Sequence, residues 1–440
     1  MRISPLPPLI NFIPYAFYAD TIAKMVCGFL VKHYLTKIKE CIPKKFIFFR
    51  NTFLKSCIFA SVKSFVMIDR ILYDTIEQQL FRGKAIILLG CRQIGKTTLL
   101  KQLFSKRDDV LWLSGDDVDT ADLLSEMTAV RFREFIGNKK ILVIDEAQRI
   151  PDIGLRMKLV TDYIPEVQLV ASGSSSFELA NRLNEPLTGR KREYLMYPLS
   201  YAEMVKHHGL IDERRLIRHR MVFGYYPDVV NSKGEEKDVL RDLTNSYLYK
   251  DIFALGIIKK NDKLVKLLQA LAYQVGSQVS YSELASLVGI DSKTVETYID
   301  LMEKAYIVFR LYSFSRNMRN ELKHSRKIYF YDNGVRNAVI GMYSPVENRN
   351  DIGALWENFL VSERVKRNQY NRHWCNSYFW RTKEQKEIDY IEEYDGKLFA
   401  YEFKFNPRKE AKIPIGFAKA YPEAVFKEIT PANIDEFLLS

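Results

Sequence analysis

Cysteine is scarce: the 440 residues hold five, with Cys27, Cys41 and Cys57 in the first 66 and only Cys91 and Cys375 beyond them. No CxxC or other metal spacing joins these residues, which argues against a disulfide framework and for a reducing cytoplasm. The histidines (His33, His207, His208, His219, His324 and His373) form no ligand cluster along the chain. Long apolar runs are also missing. A membrane-crossing helix needs about 20 unbroken apolar residues, and the best stretch, Leu9 to Val31, is interrupted by Pro14, Asp20 and Lys24.

Negative charge is nearly absent from residues 1–66, where Asp20 and Glu40 stand against ten Lys and Arg residues. That stretch therefore supplies +8 of the formal +12, leaving 56 basic against 52 acidic residues in the remainder. A basic face for nucleic acid must be argued locally, not from the total. The stretch is rich in Phe, Ile and Lys and lacks clean periodicity. Two readings stay open for it: a start site misplaced upstream of Met67, or a peripheral membrane anchor. A signal peptide fits less well, because no small-residue cleavage site follows a short apolar core.

With 47% apolar and 27% charged residues, the chain is of globular, soluble type. Its length suggests about three domains. Lys84-Ala-Ile-Ile-Leu-Leu89 has the look of a buried strand. Gly90-Cys-Arg-Gln-Ile-Gly-Lys-Thr97 follows it and matches G-x-x-x-x-G-K-[ST], and an apolar helical run continues to Phe104. Strand, glycine loop and helix is the context in which this pattern cradles phosphates. Backbone N–H groups of Gly90, Cys91, Arg92, Gln93, Ile94 and Gly95 would converge on the anion, with Thr98 at the helix start. Lys96 would reach the β- and γ-phosphates and Thr97 would offer its hydroxyl to Mg²⁺, so ATP and Mg²⁺ are the expected ligands.

Lys140-Ile-Leu-Val-Ile-Asp-Glu146 reads as a central parallel strand ending in carboxylates, about 50 residues after the loop. Asp145 would hold the metal through water, and Glu146 would orient or deprotonate the attacking water. Asp116-Asp117, after the strand Val110–Leu113, reads as a solvated turn. The strand Val167–Ala171 runs into Ser172-Gly-Ser-Ser-Ser176, where Ser174 is the candidate contact to the γ-phosphate. Arg190, in Leu187-Thr-Gly-Arg-Lys-Arg192, is a candidate charge finger for the ATP of a neighbouring copy. Ser200 and Glu203 fit a helix capping box.

From Met67 onward the chain resembles a prokaryotic family of AAA+-type ATPases. The resemblance is carried by GCRQIGKTTLL from Gly90, VIDEAQ from Val143, ASGSSS from Ala171 and LTGRKR from Leu187. It continues through GYYPDV from Gly224, KIYFYDNGVRN from Lys327 and GALWENF from Gly353. Cys91 departs from the proline usual in the family. The resemblance implies an AAA+-like parallel sheet over 67–200, with a C-terminal region of unassigned role.

In the middle, Val279–Ile290 reads as a helix ending at Gly289, and a second helix follows from Asp291 to Glu303. Ala305–Tyr312 supplies strand material for a wing. Residues 201–318 thus resemble a winged-helix module. Asp291, Glu296, Asp300 and Glu303 outnumber Lys293 and Lys304, a poor surface for phosphates. A packing role or a protein partner is the favoured expectation for it, with nucleic acid as the alternative.

In residues 319–440, Glu357 lies in the helix Ala354–Val361, Asp389 in the strand Glu387–Ile391, and Glu402 and Lys404 in the return strand Leu398–Lys404. Asp389, Glu402 and Lys404 fit D-x(12)-E-x-K across a hairpin, with period-two alternation placing Glu402 and Lys404 on one face. Two carboxylates can hold a metal at a scissile phosphate while the lysine positions water. The set resembles the PD-(D/E)xK nuclease, or restriction-endonuclease-like, fold. Arg381, Lys383 and Lys386 are nearby candidates for phosphate contact. Three functions stay open: an ATPase moving its C-terminal domains, an ATP-gated DNA nuclease, and a non-catalytic ATP-dependent adaptor. Homo-oligomerisation is compatible with each.

Overall fold

The computed structural model describes residues 67–174, 187–245, 261–315, 325–382, 384–406 and 411–440. The extension 1–66, Ser175, Ser176 and Lys383 lie outside them. Within residues 68–440, which form one contact unit, the described strands make two sheets.

The first sheet contains β1 (Ala85–Leu89), β2 (Val110–Ser114), β3 (Ile141–Asp145), β4 (Gln168–Gly173) and β5 (Lys191–Leu195). Their order is β2-β3-β4-β1-β5, and every pair is parallel. β1, β3 and β4 are buried along their whole length, as expected of parallel strands covered on both faces. Alternation divides their side chains. Ile86, Leu88, Val143 and Val170 pack with Leu72 and Ile76 of α1 (Ile71–Glu77) and Leu99 and Leu103 of α2 (Lys96–Phe104). Ala85, Ile87, Leu142 and Ile144 face α3 (Val118–Ser125), α4 (Ala129–Ile136) and α5 (Ile153–Tyr163) through Leu124, Phe132 and Met157. Because β4 lies between β1 and β3, three strand ends open side by side on one edge. The serine loop begins later than the sequence suggests, since Ser172 and Gly173 still belong to β4, paired with Leu88 and Leu89.

The chain leaves this sheet through α6 (Tyr201–His208), which starts with the expected capping box of Ser200 and Glu203. α7 (Leu210–Phe223), α8 (Pro227–Asn231), α9 (Glu236–Leu243) and α10 (Asn261–Tyr273) follow. Next come β6 (Gln278–Val279), α11 (Tyr281–Val288), α12 (Ser292–Lys304), β7 (Val308–Ser313) and β8 (Arg326–Phe330). Gly289 closes α11 at φ 74°, a left-handed conformation that glycine adopts freely, and Asp291 caps α12 by accepting from Thr294 N. β8 pairs antiparallel with both β6 and β7.

The remaining elements are α13 (Asn333–Val339), α14 (Ile352–Tyr370), β9 (Asn376–Arg381), β10 (Glu387–Tyr394) and β11 (Lys397–Phe403). They end with α15 (Ile415–Ala420), β12 (Val425–Ile429) and α16 (Ile434–Leu438). β9, β10 and β11 form an antiparallel meander, and β12 joins β11 in parallel. Asp395 and Gly396, both at positive φ, make the tight turn between β10 and β11. β7 also pairs in parallel with β9, so the second sheet runs β12-β11-β10-β9-β7-β8-β6. The boundary expected at 318/319 lies outside the described residues; β7 before it and β8 after it are paired.

α14 runs nine residues past the expected end at Val361. Its second half buries Glu363, Arg364, Lys366 and Asn368, and polar residues give no apolar periodicity to read. Among the described residues no helix is long and apolar enough to cross a membrane.

Candidate functional site

The loop after β1 is shaped by its glycines. Gly90 has φ 151°, and a Cβ there would lie 2.2 Å from the Met196 carbonyl oxygen. Gly95 has φ 92°, and Gln93 between them φ 60°. The loop therefore curls tightly before α2 begins at Lys96. Lys96 is buried, and its Nζ donates to the Gly90 and Cys91 carbonyls at 2.9 and 2.8 Å. Cys91 and Ile94 turn their side chains inward: Tyr226 OH donates to Cys91 Sγ at 3.2 Å, and Ile94 is fully buried. Burial pushes the Cys91 thiol above its ordinary value. Arg92 and Gln93 are partly buried, and Thr98 is exposed on the first turn of α2.

The acidic end of β3 lies against this loop. Thr97 Oγ1 donates to Asp145 Oδ2 at 2.8 Å, and Ser172 Oγ, at the end of β4, donates to Asp145 Oδ1. Glu146 follows in the left-handed region at φ 50°. Gln148 Nε2 donates to Glu146 Oε2 at 2.6 Å and to Ser174 Oγ at 3.0 Å. Thr97, Asp145, Glu146 and Ser174 are thus gathered at one edge of the sheet. Thr97 and Asp145 offer oxygen atoms only, the donor type suited to Mg²⁺, and the positive-φ loop at the head of a helix suits a polyphosphate.

Arg190 is elsewhere. Its carbonyl accepts from Ala85 N at the start of β1, and its guanidinium pairs with Asp162 at 2.5 Å. The length of β1, about 16 Å at the usual rise per residue, separates it from the loop of its own chain. Asp116 and Asp117 do structural work: Asp116 pairs with Arg149 at 2.8 Å, and Asp117 caps α3.

Arg70 carries no signal in the sequence, yet it ties the loop to the rest of the protein. Buried ahead of α1, it donates to the Ile94 carbonyl at 2.7 Å, the Tyr197 carbonyl at 2.6 Å and Glu203 Oε1 at 2.9 Å. Its remaining reach, 3.4 Å, is to the hydroxyl of Tyr370 at the end of α14, which also accepts from Tyr197 N at 3.0 Å. Burial opposes its charge, but the Glu203 carboxylate beside it outweighs that and raises its pKa.

A second polar cluster lies at the other end of α14. The β10–β11 register pairs Tyr390 with Tyr401, which puts Asp389 and Glu402 at the next facing positions. Phe403 N donates to Asp389 Oδ2 at 2.8 Å, and Lys404 Nζ to Glu402 Oε1 at 2.7 Å. Burial and the neighbouring Glu357 and Glu402 carboxylates push Asp389 well above the usual carboxylate range. Burial also raises Glu402, against the pull of Lys404. Glu357, Asp389, Glu402 and Lys404 are therefore brought together, and Asp389 and Glu402 present oxygen donors that fit a divalent cation. The cluster contains further groups to which the sequence reading assigned no role. Lys327 Nζ donates to Glu357 Oε1 at 2.8 Å and pairs with Glu387, while Tyr329 OH donates to Glu357 Oε1 at 2.6 Å. Strand alternation puts Lys327 and Tyr329 on one face, but nothing local names their partner. Arg381 pairs with Glu387 at 3.4 Å, and Lys386 is exposed.

His373, Cys375 and Glu392 also bring ligand atoms within 4.8 Å of one another. Glu392 is committed, however: Arg364 donates to both of its oxygens, at 2.8 and 2.7 Å, and Asn368 adds a third bond. That trio is a structural knot of polar groups.

Three family models match the chain: an AAA domain over residues 82–205, and domains of unknown function over 214–345 (DUF8612) and 352–433 (DUF4143). An uncharacterized protein of Mycobacterium tuberculosis is 26% identical over 337 residues, 75% of this chain and 72% of that protein. One of Methanocaldococcus jannaschii is 26% identical over 335 residues, 66% of this chain and 70% of its own. Among solved structures, a Walker-type ATPase of Pyrococcus abyssi aligns with a TM-score of 0.46 and 14% identity over 62% of this chain and 96% of that one. The glycine loop, the acidic strand end and the parallel sheet all lie where the AAA model matches, so residues 82–205 have a P-loop fold and are similar to AAA domains.

Proposed function

We propose that this protein hydrolyses ATP in a Mg²⁺-dependent reaction and uses the nucleotide state to rearrange its C-terminal elements. The observation that carries this reading is the arrangement around β3: Asp145 bonded to Thr97, with Glu146 one residue on and held by Gln148. Lys96 and the loop amides would bind the β- and γ-phosphates. Thr97 and Asp145 would hold Mg²⁺, which when bound supplies charge neutralisation at the transferring phosphoryl group. Glu146 would take the proton of the attacking water, and Ser174 would report on the γ-phosphate through its bond to Gln148. Arg190 lies too far to serve its own chain's nucleotide, so its role as a charge finger requires a homo-oligomer.

Glu146→Gln tests hydrolysis. Phosphate release should fall by a factor of about 100 or more while ATP affinity stays within a few-fold of the original. Unchanged release in that variant would remove the hydrolytic role and favour the non-catalytic adaptor.

A second reading is favoured by one observation, the convergence of Glu357, Asp389, Glu402 and Lys404 on an α14-β9-β10-β11-α15-β12 unit. Its topology and donor set support a PD-(D/E)xK-like nuclease gated by ATP. Incubation with plasmid and Mn²⁺ should then give cleavage that Lys404→Ala abolishes; equal cleavage by the variant would discard the reading. We read the α11–α12 segment as a winged-helix-like module with a packing or protein-contact role. What supports this is that two of its acids, Asp300 and Glu303, are taken up by Arg310 of β7, the first at 2.5 Å, so α12 uses its charges to pack against the strand.

A further inference from the structure

Lys327 is 1% exposed, and a lysine so deeply buried is retained only where carboxylates repay its desolvation. Here the repayment comes from Glu357 on α14 and Glu387 on β10. Both belong to the unit that holds Asp389 and Glu402, but Lys327 does not. It projects from β8, two strands beyond β9 in the sheet, and its ammonium lies 5.4 Å from the centroid of the Phe379 ring on β9. The carboxylates thus meet Lys404 and Arg381 from their own unit, at Glu402 and Glu387, while Lys327 reaches in from β8.

We propose that Lys327 is a tethered cation that competes with divalent metal ions for the carboxylate cluster and so sets its metal affinity. This rests on the cluster being a cation site, as the second reading above holds. A divalent ion at Asp389 and Glu402 meets the repulsion of the Lys327 ammonium. It also finds Glu357 Oε1 already accepting from both Lys327 and Tyr329. Withdrawing the β8 lysine leaves Glu357 with Tyr329 and Glu387 with Arg381 but takes one donor from each, and it removes a positive charge from a poorly solvated site; both changes favour the metal. The seating of β8, on the middle segment, therefore governs whether the C-terminal cluster takes a metal.

The experiment is Mn²⁺ titration of the nucleotide-free full chain by calorimetry, for the parent protein, Lys327→Met, Lys327→Gln and Lys327→Arg, each with and without Asp389→Asn. Lys327→Gln keeps a donor for Glu357 while removing the charge, and serves if the methionine variant does not fold. ATP affinity at the P-loop reports that each variant is folded. The expected result is Mn²⁺ binding at least about tenfold tighter in the folded Lys327 variants, lost on adding Asp389→Asn, with Lys327→Arg close to the parent. Asp389-dependent binding that is equal or weaker without Lys327 would overturn the competition and leave the cation site standing. Absence of Asp389-dependent binding in every variant would overturn both.

Discussion

Asp145 shows how one side chain can be fixed in place by its neighbours. Both of its oxygens accept hydroxyl hydrogens, from Thr97 and Ser172, so its orientation is set by two strand ends and a helix start before any ligand arrives. Glu392 is likewise held by converging donors, from Arg364 and Asn368. Burial pushes the Glu392 carboxyl up, but the forked donors of Arg364, with Asn368, outweigh it and hold the group below its ordinary value. Glu392→Gln should destabilise the fold by about 3 kcal/mol at pH 7, because Arg364 would be left buried without its partner. A carboxyl with a depressed folded pKa contributes stability that is complete above its unfolded value, about 4.3, and is lost as pH falls through the folded one. The stability gap between parent and variant, read from urea midpoints, should therefore narrow below about pH 4. A gap that persists unchanged into acid would contradict this account.

At the scale of elements, α14 is decisive. Its apolar face packs Leu355, Trp356, Phe359 and Leu360 between the α6–α7 pair and the second sheet. Trp356 is fully buried, near-parallel to Phe359 at 5.9 Å between centroids and edge-on to Phe405 at 5.5 Å. Trp356→Ala should cost about 3–5 kcal/mol by thermal or chemical unfolding. A loss below about 1 kcal/mol would mean that the site collapses around the cavity and that α14 is held by its polar bonds instead. Those bonds are numerous. Glu363 accepts from Tyr201 N at 2.7 Å, Lys366 donates to the Leu199 carbonyl at 3.1 Å, and Tyr370 accepts from Tyr197 N.

Across the whole molecule, α14 joins the two candidate sites. Its first half presents Glu357 to the carboxylate cluster, and its last residue meets Arg70, which holds the Ile94 carbonyl of the nucleotide loop. A shift of that loop on binding ATP must either strain or carry the Arg70–Tyr370 contact, and a rigid helix transmits displacement along its length. Addition of ATP and Mg²⁺ should therefore change backbone hydrogen exchange in residues 352–370 as well as in the loop itself. Exchange altered only in 90–98 would remove the proposed coupling. Arg70→Ala should reproduce that uncoupled pattern and weaken ATP binding.

The glycine loop and the acidic strand end that make the candidate nucleotide site were legible because their signals are local. The glycines, Lys96 and Thr97 lie within eight residues, and an apolar run ending in Asp145-Glu146 announces a buried strand with a polar tip. The capping box at Ser200 and the D-x(12)-E-x-K hairpin were legible for the same reason, since short-range spacing and period-two alternation decide them. Tertiary structure alone decided what depends on distant partners. It set the order that places β4 between β1 and β3, the polar half of α14, the single sheet that joins β7 to β9, and the partners of Arg70 and Lys327. A buried charge is stabilised by whatever faces it across the fold, and no spacing along the chain records which residue that is.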